Sequence, residues 1–225
     1  MVINLMAINL MVIMLIKFCE RTHKINTLKH IPQMQEIGFG DEKLKIIAVV
    51  GSLRRKSYNR ALAVKAGEII GDRAEFEILD YSGVPFFNED LEFPPPRSVT
   101  DVREKIASAD GIWIFSPEYN HTIPGTLKNL IDWMSRSVSK GAPSVLAGKK
   151  VAISGASAGM SGTAIMQDQL VAVLSFLNMK IMNQPRLTIP NAGSQTNEEG
   201  MLVLAQSLPF LEKQADAFLM FVKEG

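Results

Sequence analysis

The chain has 225 residues, 47% of them hydrophobic, enough for one domain with a substantial buried core. Lys and Arg number 24 against 23 Asp and Glu, so the net charge of +1 excludes the broad basic field of a nucleic-acid binder and leaves any phosphate recognition local. The single cysteine, Cys19, excludes an internal disulfide and shares no metal-ligand spacing with His23, His30 or His121, which suits a reducing, cytoplasmic setting without a zinc site.

Residues 1–16, MVINLMAINLMVIMLI, are almost wholly apolar and are followed by Lys17, Arg21, Lys24 and Lys29. They are short for a bilayer span and carry Asn4 and Asn9. A secretory signal would need a basic segment before the apolar run and a small-residue cleavage site after it, and neither is present. Three readings remain: a peripheral or packing helix, upstream sequence from a misassigned start with Met34 as the alternative, or a weak membrane anchor with a basic flank. Span length favours the first two over the anchor. We therefore expect an N-terminal extension over residues 1–42 and the folded domain over residues 43–225.

From Lys43 onward, strand-like apolar runs alternate with amphipathic helical patterns, the signature of a parallel sheet with helices on both faces. LKIIAVV at residues 44–50 is continuous enough to be buried on both faces, and it stops at Gly51 and Ser52. A polar and basic loop runs through Arg54, Arg55, Lys56, Ser57 and Asn59, and a helical rhythm follows at Leu62, Ala66, Ile69 and Ile70. Phe76 and Ile78 mark a second strand ending at Asp80, and a Pro-rich connection covers residues 85–96. Ser98 with Asp101 has the spacing of a capping box, opening a helix with Val102, Ile106 and Ala109 on its face.

GIWIF at residues 111–115 predicts a third strand, broken at Ser116 and Pro117. The loop SPEYNHTIPG precedes a helix with Pro124 in its first turn and a stripe of Leu127, Leu130, Ile131 and Met134. KKVAISG predicts a fourth strand over residues 149–155, then the small-residue loop ASAGMSG and a helix carrying Met166, Leu170, Val173, Leu174 and Leu177. A short fifth strand falls between residues 180 and 189. Thr196 with Glu199 resembles a capping box for a final helix through Leu204, Leu208, Leu211, Ala215, Phe218 and Val222, which Pro209 should kink.

Five strands and five helices in this order form a doubly wound sandwich, in which ligands sit outside the carboxyl ends of the strands. Three strands end in loops with suggestive chemistry. The first lacks both GxGxxG and a Walker sequence, so a pyrophosphate or a magnesium–triphosphate fits it poorly. Ser52, Ser57 and Asn59 are short polar groups and Arg54 is a planar fork, a set suited to a phosphate monoester at a helix N-terminus. The alternative is an ordinary strand–helix turn with a solvated basic rim. In the second loop Tyr119 could support a planar ligand or pack on the next helix, and Glu118 could face the ligand or cap that helix. In the third, Gly155, Ala156, Gly159 and Gly162 let a flat ring approach main-chain amides, or simply make a flexible connection. Their joint occurrence after successive strands favours one shared site.

The motifs GSLRRKSYN, SPEYNHTIPGTLKNLIDW and SGASAGMSGT make the chain, from Lys43 to the C-terminus, similar to the NAD(P)H-dependent FMN reductases, a family that includes bacterial quinone and chromate reductases and azoreductases. The resemblance implies an α/β flavodoxin-like three-layer sandwich with a five-stranded parallel sheet of order 2-1-3-4-5. It implies FMN as cofactor, with Ser52, Arg54, Ser57 and Asn59 at the phosphate and Pro117, Glu118, Tyr119 and Asn120 along the isoalloxazine. Ser154, Gly155, Ala156, Ser157 and Gly159 would complete the site from the third loop. Arg55, Lys56, Tyr58 and His121 fall at variable positions and are left outside it, His121 at the rim or facing solvent. The resemblance further implies NADPH or NADH as co-substrate and ping-pong delivery of electrons to a small-molecule acceptor: a quinone, chromate, an azo compound or free flavin. It implies a homodimer or homotetramer, with no metal and no nucleic-acid partner. The competing reading is a flavodoxin-type carrier fed by a protein partner, against which the near-neutral charge and the SPEYN motif both argue.

Overall fold

In the computed structural model, alternate residues of the central strands enter two separate cores. Along β1 (Lys45–Val50), Ile46, Ala48 and Val50 face one core while Ile47 and Val49 face the other. The same division holds in β3 (Gly111–Phe115), with Trp113 and Phe115 on one side and Ile112 and Ile114 on the other. This two-sided burial is why these strands read as unbroken apolar runs. On the first face lie α1 (Tyr58–Ile70), through Leu62, Ala66 and Ile70, and α5 (Leu208–Lys223), through Leu211, Ala215 and Phe218. The second face is covered by α2 (Arg97–Ala107), α3 (Gly125–Ser135) and α4 (Ala164–Phe176), whose Val102, Leu130 and Leu170 are all buried. Each such side chain contributes about 1.5–3 kcal/mol relative to exposure.

The structure describes residues 43–139, 141–199, 201–204 and 206–224. The expected extension over residues 1–42, with its three readings, lies outside them. Residues 43–225 form one compact unit. No helix among the described residues is long and apolar enough to cross a membrane.

The sheet is parallel throughout, in the order 2-1-3-4-5 that the resemblance implies, with β2 (Glu75–Ile78) at one edge and β4 (Lys150–Ala156) beside β3. It has six strands, because the expected fifth strand is two short ones. β5 (Lys180–Ile181) pairs with the start of β4, and β6 (Leu187–Ile189) pairs with its end. Pro185 lies between them, and a proline has no N–H to continue a ladder.

Two expected helix starts are also corrected. α2 begins at Arg97 with Pro96 as its N-cap and no side-chain cap, so Ser98 sits inside the first turn instead of capping it. α5 begins at Leu208 with Pro209 in its first turn, where a missing N–H leaves no intrahelical bond unmade; the proline starts this helix and does not kink it. Thr196 instead closes a 3₁₀ turn over Ala192–Gln195, its hydroxyl donating to the Gly193 carbonyl at 2.8 Å.

Strand order reverses at β1, with β2 on one side and β3 on the other, so the loops after β1, β3 and β4 emerge together at one end of the sheet.

Candidate functional site

The three loops meet because their backbones approach closely. The Gly51 amide donates to the Phe115 carbonyl at 2.8 Å, and the Ser116 amide donates to the Ser154 carbonyl at 3.0 Å. Ser116, fully buried, is flanked by glycine on both sides: a Cβ on Gly51 would overlap its Oγ, and a Cβ on Gly155 would overlap its carbonyl oxygen and the Thr163 hydroxyl. Gly51 and Gly155 are therefore required by contact between neighbouring loops. Just beneath, the buried Tyr81 hydroxyl donates to the Val50 carbonyl at 2.6 Å, and burial pushes its pKa up to about 12.

A cavity of about 560 Å³ opens above this junction, well within the roughly 300–1,000 Å³ typical of small-molecule pockets. From the first loop it is lined by Ser52, Arg54, Ser57 and Asn59, from the second by Pro117, Glu118, Tyr119 and Asn120, and from the third by Ala156, Ser157 and Gly159. Of the residues expected there, Ser154 and Gly155 alone do not line it. Ser154 is fully buried, accepting from the Trp113 indole N–H at 2.8 Å and donating to Gln214 Oε1 at 2.6 Å, so it supports the floor from below. Gly162, read with the small-residue loop, lines the cavity as well; Tyr58 and His121, left outside the site, and Ala158 and Ser161 also do. Tyr58 lies between two chosen residues, His121 directly follows the SPEYN motif, and Ala158 and Ser161 belong to the small-residue loop, so each stands beside a motif legible in the sequence.

The first wall is built for an anion. Ser57 caps α1 in extended conformation, its Oγ accepting from the Arg60 amide at 3.4 Å, and the first turn of α1 carries no acidic residue. Ser52 Oγ accepts from the Arg54 amide at 3.4 Å and lies 3.3 Å from the Tyr119 hydroxyl, joining the first loop to the second. The Arg54 guanidinium donates to the Lys56 carbonyl and lies over the Tyr58 ring, 5.8 Å from its centroid. Asn59 differs from expectation. Its Nδ2 donates to the Ala156 carbonyl at 2.8 Å and its Oδ1 accepts from the Ala156 amide at 2.9 Å, so this buried side chain braces α1 against the end of β4 and has both polar ends engaged.

The second wall is a tight turn in which the Tyr119 and Thr122 backbones bond reciprocally at 3.2 and 3.0 Å. Asn120 and His121 between them have φ of 52° and 57°, the left-handed region that a type I′ turn demands at both central positions. Contacts from outside hold it there. Gln169 Nε2 donates to the His121 carbonyl at 2.9 Å, and the Thr122 hydroxyl donates to Gln169 Oε1. Glu118 Oε2 accepts from the Met166 amide at 3.0 Å in the first turn of α4, and Oε1 lies 3.1 Å from His121 Nδ1. Glu118 is thus a capping carboxylate, placed on α4 and not on the helix that follows it in sequence.

The third wall is stitched down. The Ser157 hydroxyl donates to the Gly162 carbonyl at 2.6 Å, its amide donates to Ile189 at 3.0 Å, and the Asn191 amide donates to Gly159 at 3.0 Å. These bonds tie the small-residue loop to the end of β6, which disposes of the flexible-connection alternative. Hydroxyls, a guanidinium and the positive end of α1, free of acidic side chains, at one side of the cavity, with an aromatic and closely approachable main chain at the other, fit a planar ligand ending in a phosphate.

Comparison with known proteins agrees. The family described as NADPH-dependent FMN reductase matches residues 44–194. The chain is 37% identical over 181 residues to a 2-hydroxy-1,4-benzoquinone reductase from Burkholderia, spanning 80% of this chain and 97% of that protein. It is 36% identical over 185 residues to an NAD(P)H-dependent FMN reductase from Pseudomonas aeruginosa, spanning 81% and 97%. Among solved structures it is similar to FerB, a flavoenzyme NAD(P)H:(acceptor) oxidoreductase from Paracoccus denitrificans, with a TM-score of 0.72 and 31% identity over 80% of this chain and 98% of that one. The chain therefore belongs to the NADPH-dependent FMN reductase family, a flavodoxin-like oxidoreductase with FMN as cofactor and NAD(P)H as electron donor.

Proposed function

We propose that residues 43–225 form an FMN-binding domain that passes electrons from NADPH or NADH to a quinone, in a ping-pong cycle in which donor and acceptor use the same cavity in turn. The observation that carries this reading is the convergence of the three loops on one cavity with an anion seat at one side. The names of the Burkholderia and Pseudomonas relatives support a quinone-class acceptor and both nicotinamides. Chromate, azo compounds and free flavin belong to the same proposal as further acceptors, as do a homodimer or homotetramer and a cytoplasmic setting.

FMN, when bound, supplies the redox chemistry, taking a hydride from the nicotinamide and giving two electrons to the acceptor. Ser52, Ser57, Arg54 and the N-terminal amides of α1 would hold its phosphate. Pro117, Tyr119 and Asn120 would flank the ring system, with the backbone of Ala156, Ser157 and Gly159 opposite. Asn59 and Glu118 position the walls: the first fixes α1 relative to β4, and the second fixes the Tyr119 turn relative to α4. Held this way, the walls keep the stacking space open at constant width, which is the protein's share of the rate.

Purified protein should be yellow and should oxidise NADPH or NADH when 1,4-benzoquinone is present, with parallel double-reciprocal lines as both substrates are varied. Colourless protein that takes up no FMN would overturn the reading. Yellow protein that fails to turn over with either nicotinamide would point to the electron-carrier alternative.

A further inference from the structure

A second groove, of about 640 Å³, adjoins the cofactor cavity along Ser57 and Tyr58, which line both. Its rim carries Arg55, Lys56, Arg60 and Lys65, a local concentration of cations in a chain of net charge +1. Lys65 is paired with Glu68 at 2.7 Å. The exposed side chains of Arg55, Lys56 and Arg60 make no hydrogen bond or ion pair among the described residues. They are outside the set that the cofactor phosphate uses.

Its apolar lining comes from Ala61, Val64, Met201, Leu202 and Val203. Val64, Met201 and Val203 keep 46%, 55% and 48% of their surface exposed, apolar groups facing water beside these cations. That combination matches a ligand with a flat apolar base at one end and a doubly charged phosphate beside it. Two carboxylates, Glu199 and the Lys65-paired Glu68, also line the groove, and each disfavours an anion beside itself. Arg55 and Arg60 also border a recess around Asp80; hydrogen bonds from Ser82, with Arg60 among the nearby charges, hold the Asp80 carboxyl below its usual range, and that carboxylate disfavours an anion on that side.

We propose that this groove takes the adenosine 2′-phosphate end of NADPH, with the base on Val64, Met201 and Val203 and the 2′-phosphate at Arg55, Lys56 and Arg60, making NADPH the preferred donor. The inference rests on the reading of the chain as a nicotinamide-dependent reductase. Arginine suits the task because its fork binds a terminal phosphate in two places.

The test uses the FMN-loaded enzyme, Arg55→Ala and the pair Arg55→Ala/Arg60→Ala. In steady-state turnover with benzoquinone, the KM for NADPH should rise about tenfold or more in the pair, while kcat at saturating NADPH and the KM for NADH stay within about twofold. Calorimetric titration gives a readout independent of turnover. Adenosine 2′,5′-bisphosphate should bind wild type about tenfold tighter than 5′-AMP, and that preference should vanish in the pair. Equal binding of the two nucleotides to wild type, a preference that survives the substitutions, or NADPH and NADH constants that move together would each overturn the groove assignment. Protein without FMN, or without turnover on either nicotinamide, would instead count against the reductase reading, and the titration would still decide the groove.

Discussion

Asn59 gives the sharpest test of how the site is built, because a brace and a phosphate ligand predict opposite outcomes. In the structure its carboxamide makes two hydrogen bonds with the backbone of one residue, at 2.8 Å to the Ala156 carbonyl and 2.9 Å from the Ala156 amide, in a buried setting. Asn59→Ala removes both partners and leaves a buried N–H and a buried C=O unsatisfied, at about 1–3 kcal/mol each. The expected loss is therefore about 2–6 kcal/mol, or roughly 4–24 °C in Tm for a domain of this size. Asn59→Asp is nearly isosteric and keeps the acceptor for the Ala156 amide, yet it turns a carboxylate oxygen on the Ala156 carbonyl. It should be no more stable than the alanine variant near neutral pH. The assay is thermal unfolding of FMN-free protein followed by far-UV circular dichroism, beside FMN titration of the same samples. A brace lowers Tm without cofactor present. An FMN-free Asn59→Ala variant that melts within about 2 °C of wild type, with weakened FMN affinity, would refute the brace and restore Asn59 as a ligand.

The remaining predictions concern the anion seat, the glycine contacts and the buried phenol. Arg54→Ala and Ser57→Ala should each raise the FMN dissociation constant about tenfold, read by fluorescence titration, while turnover at saturating FMN changes little; unchanged affinity in both would show that the phosphate lies elsewhere. Ser57→Ala should also lower FMN-free stability by about 1 kcal/mol through loss of the α1 cap, measured by urea unfolding. Gly155→Ala should destabilise by about 1–3 kcal/mol or more, because its methyl group meets the Ser116 carbonyl and the Thr163 hydroxyl from two sides; a variant as stable as wild type would mean that the loops can part. Tyr81 has a folded pKa raised to about 12 from 10.0, so its contribution is fully present below pH 10 and is lost as pH rises through the folded value. Wild type should lose up to about 2–3 kcal/mol between pH 9 and pH 12 that Tyr81→Phe does not lose, as judged from urea unfolding at each pH. Equal alkaline losses in the two proteins would rule out Tyr81 as their source.

The central strands were legible because a strand buried on both faces has to be apolar at consecutive positions, as Ile46 to Val50 and Ile112 to Phe115 are. Helix beginnings were less so. Ser98 with Asp101 and Thr196 with Glu199 have capping-box spacing, but the starts fall where Pro96 and Pro209 place them, the second twelve residues beyond Thr196, and a four-residue pattern carries no information about which candidate the packing selects. Within the site, the walls were legible from loop composition. The duties of Asn59, Glu118 and Ser154 were not. A small polar or acidic residue near a cavity reads the same whether it faces a ligand or a partner in the protein, and here the partners are remote: Asn59 and Ala156 are 97 residues apart, Glu118 and Met166 are 48, Ser154 and Gln214 are 60. The split of the last strand escaped because Lys180, Ile181 and Leu187 to Ile189 together have the length of one ordinary strand.

The family match ends at residue 194, but the floor of the cavity does not. Gln214, on the last helix and fully buried, accepts from Ser154 and donates to the carbonyls of Ile153 and Pro185, at 2.9 Å in both cases. A nascent chain halted before this helix would already hold every residue of the three loops and still lack the partner that orients Ser154. The pocket is written in the middle of the chain, and the residue beneath its floor is fastened by the last helix.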